Sequence, residues 1–329
     1  MDGSRKNYAG RKALYIVIIL SLIVLAFVYN FFPKSEQNVV KVGYPPVSTS
    51  LPLFVAIDQK IFSNKGLSIE PIRFETANQI TEALVANRID ATSVSADFPF
   101  LTMAQRAPDA FKLYAWEMLD TNIPFDMILV RKDSSINSIA DLHNKTVATF
   151  PGSQLRYYFQ LILKKATEGT VDVTVTEMIP SNQIPALVSK SVDAIFCLEP
   201  ICTIALEKGI GKILVTSPIS RYISDGSPMP AASFAISSRF IQHRPKTALS
   251  FVEAMWSAID LINANQERWR YLYPTFTPIT PELAPKIPVT IFSKVNDMDL
   301  SLFQKEADIL YEAGLLNRRT DVETLVYRK

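Results

Sequence analysis

At 329 residues, 48% of them hydrophobic and 20% charged, the chain is long enough for two lobes with a core each and too apolar for a disordered segment. Its 34 basic and 32 acidic residues leave a formal charge of +2, several of the excess cations lie at the extreme N-terminus, and no nucleic-acid footprint results. Two cysteines and two histidines exclude a disulfide scaffold and a Cys-rich zinc module.

Arg5, Lys6, Arg11 and Lys12 precede an uncharged run from Ala13 to Phe32. As a helix this run would cover about 30 Å, the thickness of a bilayer core, with the cations held on the cytoplasmic side. It ends in the bulky residues Phe27, Val28, Tyr29, Phe31 and Phe32 rather than an A-x-A-like cleavage site, and no cysteine follows to accept a lipid. The expectation is a cytoplasmic basic segment (1–12), an uncleaved single-pass transmembrane anchor (13–32) and a polar tether (33–38). A signal peptide cleaved at an atypical site is the alternative. Everything after the tether is then outside the cytoplasm, periplasmic or at the cell surface.

Val39, Val40 and Val42 predict a strand that ends at Gly43. Two prolines and the hydroxyl run Ser48, Thr49, Ser50 follow, then helical spacing over 53–62 that stops near Gly66. A hydroxyl loop between a strand end and a helix start either grips a small polar molecule or caps the helix. Leu67 to Phe74 alternates as a second strand, 78–87 is a short amphipathic helix, and Ile89 to Ser95 is a third strand. The order is β-α-β-α-β, which predicts parallel pairing.

The grammar then repeats: a strand over 145–150, a helix over 154–166, a strand over 171–178, a helix over 182–189 and a strand over 192–198. Ala83-Leu84-Val85 with Ile89-Asp90-Ala91 matches Ala186-Leu187-Val188 with Val192-Asp193-Ala194 at the same internal spacing. Asn78-Gln79-Ile80 likewise echoes Asn182-Gln183-Ile184. Two lobes of one architecture are the reading. Strand-like runs at 125–131 and 231–237 bracket the second unit and read as two crossings, which permit closure about hinges. A long helix over 245–265, an irregular proline-rich stretch over 271–288 and a final helix over 300–316 complete the chain.

The order V-x-G-Y with its Ser/Thr loop, then I-F-S-N-K-G-L-S-I-E, E-A-L-V-A-N-R-I-D-A and D-A-I-F-C-L-E-P resembles the periplasmic binding proteins of ABC importers. The similarity is to the nitrate/sulfonate/taurine and thiamine-pyrimidine-precursor group, and the segments 237–246 and 306–315 fit it too. The resemblance implies an α/β, two-lobe type II periplasmic-binding-protein fold with two crossing strands. Its lobes would be 39–126 with 235–329, and 127–234. It also implies a solute enclosed between the lobes, an ABC permease and its ATPase as partners, and a monomeric receptor with no cofactor or metal. The ligand-binding residues it places at the cleft are Tyr44, Ser48, Thr49, Ser50, Ser93, Ser95, Asp97, Gly152, Ser153, Gln154 and Glu199.

Asp97 and Glu199 either bind a ligand carrying an amine, amidine or ring N–H, or cap the helices that follow them. Arg156 and Arg221 either pair with a sulfonate or lie on solvated faces. Tyr157, Tyr158 and Phe159 either stack on a flat heterocycle or divide between core and surface. Cys197 and Cys202 read as small buried residues, a disulfide between them being strained. The 144–146 sequon stands without other secretory signs. No nucleophile–base pair, metal motif or phosphate loop is present, and the cysteine-rich run of the related pyrimidine-making enzymes is replaced by Ala231-Ala232-Ser233. The expected function is therefore non-enzymatic: a membrane-anchored receptor that closes around a small polar, sulfonate-like or heterocyclic solute. An anchored ligand-sensing module for a partner protein is the alternative, and a pyrimidine-synthase-like enzyme stands behind both.

Overall fold

Gly43 sets the first close approach in the chain. A Cβ there would lie 2.6 Å from Ile89 Cδ1 and 3.2 Å from the Phe74 ring, so a side chain would force its neighbours aside. The structure, a computed structural model, describes residues 38–328. The predicted anchor at 13–32 and nearly all of the tether lie outside the described residues. Gly43 belongs to β1 (Val39–Tyr44), which is followed by α1 (Leu51–Asp58), α2 (Ile61–Asn64), β2 (Ser68–Arg73), α3 (Ala77–Val85) and β3 (Ala91–Thr92). Lys60, at φ 55°, divides the helix predicted over 53–62 into α1 and α2. β1 and β3 run parallel, with Val42 opposite Ala91 and Gly43 opposite Thr92.

The chain then passes through β4 (Ser95–Ala96), α4 (Asp97–Ala104) and β5 (Phe111–Leu119). β5 carries no sequence signal of alternation because it is buried over nearly its whole length, from Leu113 to Leu119 without interruption. Next come β6 (Asp126–Arg131), β7 (Lys145–Thr149), α5 (Ser153–Thr167), β8 (Val173–Glu177), α6 (Pro180–Val188), β9 (Ala194–Leu198), α7 (Ile201–Glu207) and β10 (Gly211–Thr216). The last third holds β11 (Met229–Ser237), α8 (Ser238–His243), α9 (Pro245–Ala264), α10 (Tyr273–Phe276), β12 (Ile291–Lys294) and α11 (Leu300–Glu312). β12 falls just beyond the stretch read as irregular.

These strands form two sheets, one per lobe. The first has the order β12-β5-β11-β3-β1-β2, with β4 against β11; the second has the order β10-β6-β9-β7-β8. Each contains a trio, β2-β1-β3 and β8-β7-β9, in which β1 runs parallel to β3 and β7 parallel to both β8 and β9, followed by an antiparallel strand, β11 on β3 and β6 on β9. The sheets are mixed rather than wholly parallel, because the strand entering each lobe after a crossing runs against the trio. The crossings themselves are the segments 120–125 and 217–228, the second of which carries a π-helical turn at Ile219–Ile223. The runs predicted as crossing strands, β6 and β11, each lie wholly within one sheet. Pro124, Pro218 and Pro228 lack the N–H that a ladder would need, which keeps the passages between lobes out of either sheet.

The two lobes share a closure device. Asp90 N–H donates to Lys41 O at 2.8 Å while Asp90 Oδ2 accepts from Lys41 N–H at 2.9 Å. In the second lobe Asp193 N–H donates to Thr146 O at 2.8 Å and its Oδ2 accepts from Thr146 N–H at 2.9 Å. The repeated Asp of the sequence therefore ties the first and third strands of each trio together. Around the first sheet, α9 buries Ala248, Phe251, Val252, Met255 and Ile259 at helical spacing. Trp116 of β5 meets Phe303 of α11 at 5.5 Å between ring centres.

Candidate functional site

The hydroxyl loop after β1 is buried. Ser48 to Ser50 form a single 3-10 turn, and neither that turn nor α1 receives a side-chain cap from them. Ser50 Oγ instead donates to Pro45 O at 2.8 Å and lies 3.1 Å from Ser93 Oγ, so the first loop is joined to the end of β3. Ser48 Oγ is buried without a hydrogen-bond partner among the described residues. Thr49 is buried beside it, and Tyr44, half-buried, sets its ring edge-on to Phe54 at 6.0 Å. Ser95 faces the protein interior: its Oγ donates to Ala77 O at 3.2 Å and lies 3.4 Å from Thr81 Oγ1.

In the second lobe, Gly152 adopts φ +113°, a conformation that favours glycine, and its N–H donates to Glu177 Oε2 at 3.1 Å. Ser153 opens α5. Gln154 then reaches out of its own lobe. Its Oε1 accepts from Phe98 N–H of α4 at 3.1 Å, and its Nε2 donates to Ala231 O of β11 at 2.9 Å. A single buried amide thus spends both ends on the opposite lobe. Tyr157 adds an edge contact to Phe98 at 5.3 Å, whereas Phe159 stacks on Phe196 at 5.6 Å within its own lobe.

Between the lobes runs an open groove of about 590 Å³, with Thr76 and Asn78 on one wall and Gly152, Arg156, Tyr157 and Glu177 among the residues of the other. Of the residues expected at the cleft, only Gly152 lines this groove. Arg156 is half-exposed there and pairs with Glu177 at 3.7 Å. Arg221 is exposed.

Asp97 and Glu199 divide between the two roles open to them. Glu199 caps: it accepts from Thr203 N–H at 3.2 Å and Thr203 Oγ1 at 2.9 Å. Asp97 caps nothing; it accepts a hydrogen bond from Ser233 Oγ of β11 and approaches Glu306 of α11. Burial pushes each carboxyl up to about 7, against the lowering effect of those hydrogen bonds.

Three further buried carboxylates stand with them, none singled out in the sequence. Glu117 of β5 is pushed up to about 8, first by burial and then by the charges of Asp97 and Asp126. Asp126, the first residue of β6, accepts from Ile219 N–H at 2.9 Å and is pushed up to about 7 by burial. Glu306 accepts from Tyr158 Oη and is raised well above the usual carboxylate range by burial and by Asp97. The sequence signal for these is weak: Glu117 sits in a strand without alternation, Asp126 at a strand start, and Glu306 comes from the far end of the chain. Among the described residues, no group of three or more His, Cys, Asp or Glu is placed to hold a metal ion.

A family model, the NMT1-like family, matches residues 33–272. The chain belongs to the NMT1-like family. Over 322 residues this NMT1-like chain is 23% identical to the putative aliphatic sulfonates-binding protein of Escherichia coli, covering 95% of this chain and 96% of that one. The alkanesulfonate-binding protein SsuA of Xanthomonas axonopodis pv. citri, solved bound to MOPS, superposes with a TM-score of 0.70 at 20% identity, over 89% of this chain and 99% of that one. The desulfurization enzyme DSZB superposes at 0.66 with 15% identity, over 89% and 97%. The two-lobe periplasmic-binding-protein fold implied by the sequence is thus borne out, and proteins that share it include both a binding protein and an enzyme.

Proposed function

We propose that this NMT1-like protein is the extracytoplasmic receptor of an ABC importer, closing its two lobes around a small polar, sulfonate-like or heterocyclic solute. The observation that carries the reading is Gln154, whose amide joins α5 of one lobe to α4 and β11 of the other. Such bonds exist only when the lobes meet, so a solute that stabilises the closed arrangement shifts the population towards it. The lobes in this reading are those of the two sheets, so the expected boundaries at 126/127 and 234/235 move back to the crossings at 120–125 and 217–228, which puts β6 in the second lobe and all of β11 in the first. Ser48, Thr49, Ser50 and Ser93 of the first, and Gly152 to Gln154 of the second, supply the hydroxyl and N–H contacts. Tyr44, Asp97 and Glu199 complete the set, while Ser95, expected there too, is turned inward onto Ala77 and Thr81. The groove at Thr76, Asn78 and Arg156 gives an anionic end of the solute a place beside the N-termini of α3 and α5.

The relatives named above, a sulfonate-binding protein among them, support the importer assignment, with a permease and its ATPase as partners. The run at 13–32 anchors the receptor to the membrane in this account; among the described residues no helix is long and apolar enough to cross a membrane. Binding rather than catalysis is favoured by the state of the only thiols: Cys197 and Cys202 are buried, and burial raises both, leaving no ready thiolate. The test is a thermal-shift screen of the full chain in detergent against alkanesulfonates, nitrate, aminopyrimidines and flavin-like compounds. Stabilisation by a member of the panel is expected; no response from any of them would count against the receptor reading.

A further inference from the structure

Gln154 and Tyr158 stand about one turn apart on α5 and share a face of that helix. Both reach the other lobe. Gln154 bonds Phe98 and Ala231, and Tyr158 Oη donates to Glu306 Oε1 of α11, with both residues of this second bond buried. Glu306 adjoins Asp97, the first residue of α4, and Asp97 Oδ1 accepts from Ser233 Oγ of β11. A chain from Tyr158 through Glu306 and Asp97 to Ser233 therefore runs from the second lobe into the first sheet.

The chain is incomplete at its middle. Glu306 Oε2 and Asp97 Oδ2 are buried and meet no donor among the described residues. Two adjoining carboxylates can only accept, so the pair is joined by a proton that one of them carries; with both ionised, like charges would repel in a buried place. Tyr158 faces the pair from α5 and Glu117 feels Asp97 from β5. Lys305 lines a cavity of about 50 Å³ with Glu306, yet neither Glu306 oxygen takes it as a partner. Ser224, Ser227 and Pro228 of the second crossing wall the same cavity, so Glu306 sits against a passage about which the lobes can turn.

We propose that Asp97 and Glu306 form a proton-binding site coupled to closure, which takes up a proton as the lobes meet and releases it as they part. The inference rests on the receptor reading and deepens it, because solute and proton then favour the same closed state. Parting the lobes withdraws Tyr158 from Glu306 and lets water reach the pair, which returns it towards ordinary carboxyl behaviour. In the closed form burial pushes Asp97 up to about 7 and Glu306 higher still. Closure is therefore favoured at low pH, and that support is lost as pH rises through about 7.

The proton itself is the probe. Spin labels at Glu82→Cys on α3 and Lys164→Cys on α5, in the full chain without solute in detergent, report the interlobe distance. From about pH 6 to about pH 8.5 the ratio of closed to open molecules is expected to fall about tenfold. Glu306→Gln, which still accepts from Tyr158 but cannot ionise, should stay closed at both values. Tyr158→Phe keeps the ring and should lower the closed fraction at pH 6. The wild-type comparison stands even if a variant fails to fold. A wild-type distribution that is the same at both pH values would overturn the inference, as would Glu306→Gln opening with pH like the wild type. A pH response with no stabilising solute in the thermal-shift panel would support the proton site and count against the receptor reading. A stabilising solute with no pH response would do the reverse.

Discussion

Gln154 Oε1 accepts the Phe98 N–H at 3.1 Å across the two lobes. Because the same side chain also donates to Ala231 O, truncating it leaves a buried donor and a buried acceptor unmet at once. Gln154→Ala is therefore expected to weaken solute binding by about 1–3 kcal/mol. The matching control is Lys164→Ala, at an exposed position of the same helix that does not line the groove, which should leave binding unchanged. Titration calorimetry on the two variants reads the difference.

The paired aspartates make a stability prediction. Asp193→Ala removes the acceptor for Thr146 N–H and should cost about 1–2 kcal/mol in urea unfolding. Asp90→Ala should cost more, since Asp90 also pairs with Arg244. Both residues lie at the start of a strand joining its neighbour, so solute affinity per folded molecule should stay close to wild type.

The repeat that contains these aspartates was legible because its spacing survives in the letters, and because half-exposed strands and amphipathic helices advertise their periods. The six-position match over 83–91 and 186–194 placed the trio of each lobe correctly. What stayed hidden was burial without alternation. β5 is enclosed by β11 and β12, so FKLYAWEML shows no period-2 pattern, and Glu117 within it drew no notice. Glu306 reaches the site only through tertiary packing of the last helix. Conversely, Ser95 was read at the cleft because it ends a strand, yet its hydroxyl is spent on α3. Strand ends are visible in sequence; the direction of a side chain leaving them is not.

Stability should fall as pH rises. Asp97, Asp126 and Glu199 are raised from ordinary carboxyl values to about 7, and Glu117 to about 8. The groups facing them are Ser233, Glu306, Thr290, Thr203 and Tyr273 with the Ile219 N–H, and the charge of Arg270 reaches Tyr273. The folded carboxyls hold protons that the unfolded chain has already released. Their contribution is full below the ordinary carboxyl range and is lost as pH rises through about 7 to 8. Thermal melts of the unliganded protein across that window should show a falling midpoint, and a midpoint that climbs would count against the buried cluster.

The cysteines should be silent. Cys197 and Cys202 are both buried, with their sulfurs in contact and their thiols pushed up by burial. Under reducing conditions the native protein should react with a thiol reagent only as it unfolds, so the modification rate should track the unfolding rate. Rapid labelling of the folded protein would show that the strand-to-helix turn around Glu199 opens in the native state.

Closure itself is the central claim, and a distance measurement tests it most directly. Spin labels at Glu82→Cys on α3 of the first lobe and Lys164→Cys on α5 of the second sit on exposed positions, while the native thiols are buried. On addition of a solute that stabilises the protein, the interlabel distance distribution should shorten and narrow, and Gln154→Ala should restore part of the longer population. A distribution that is the same with and without a stabilising solute would contradict closure between the lobes.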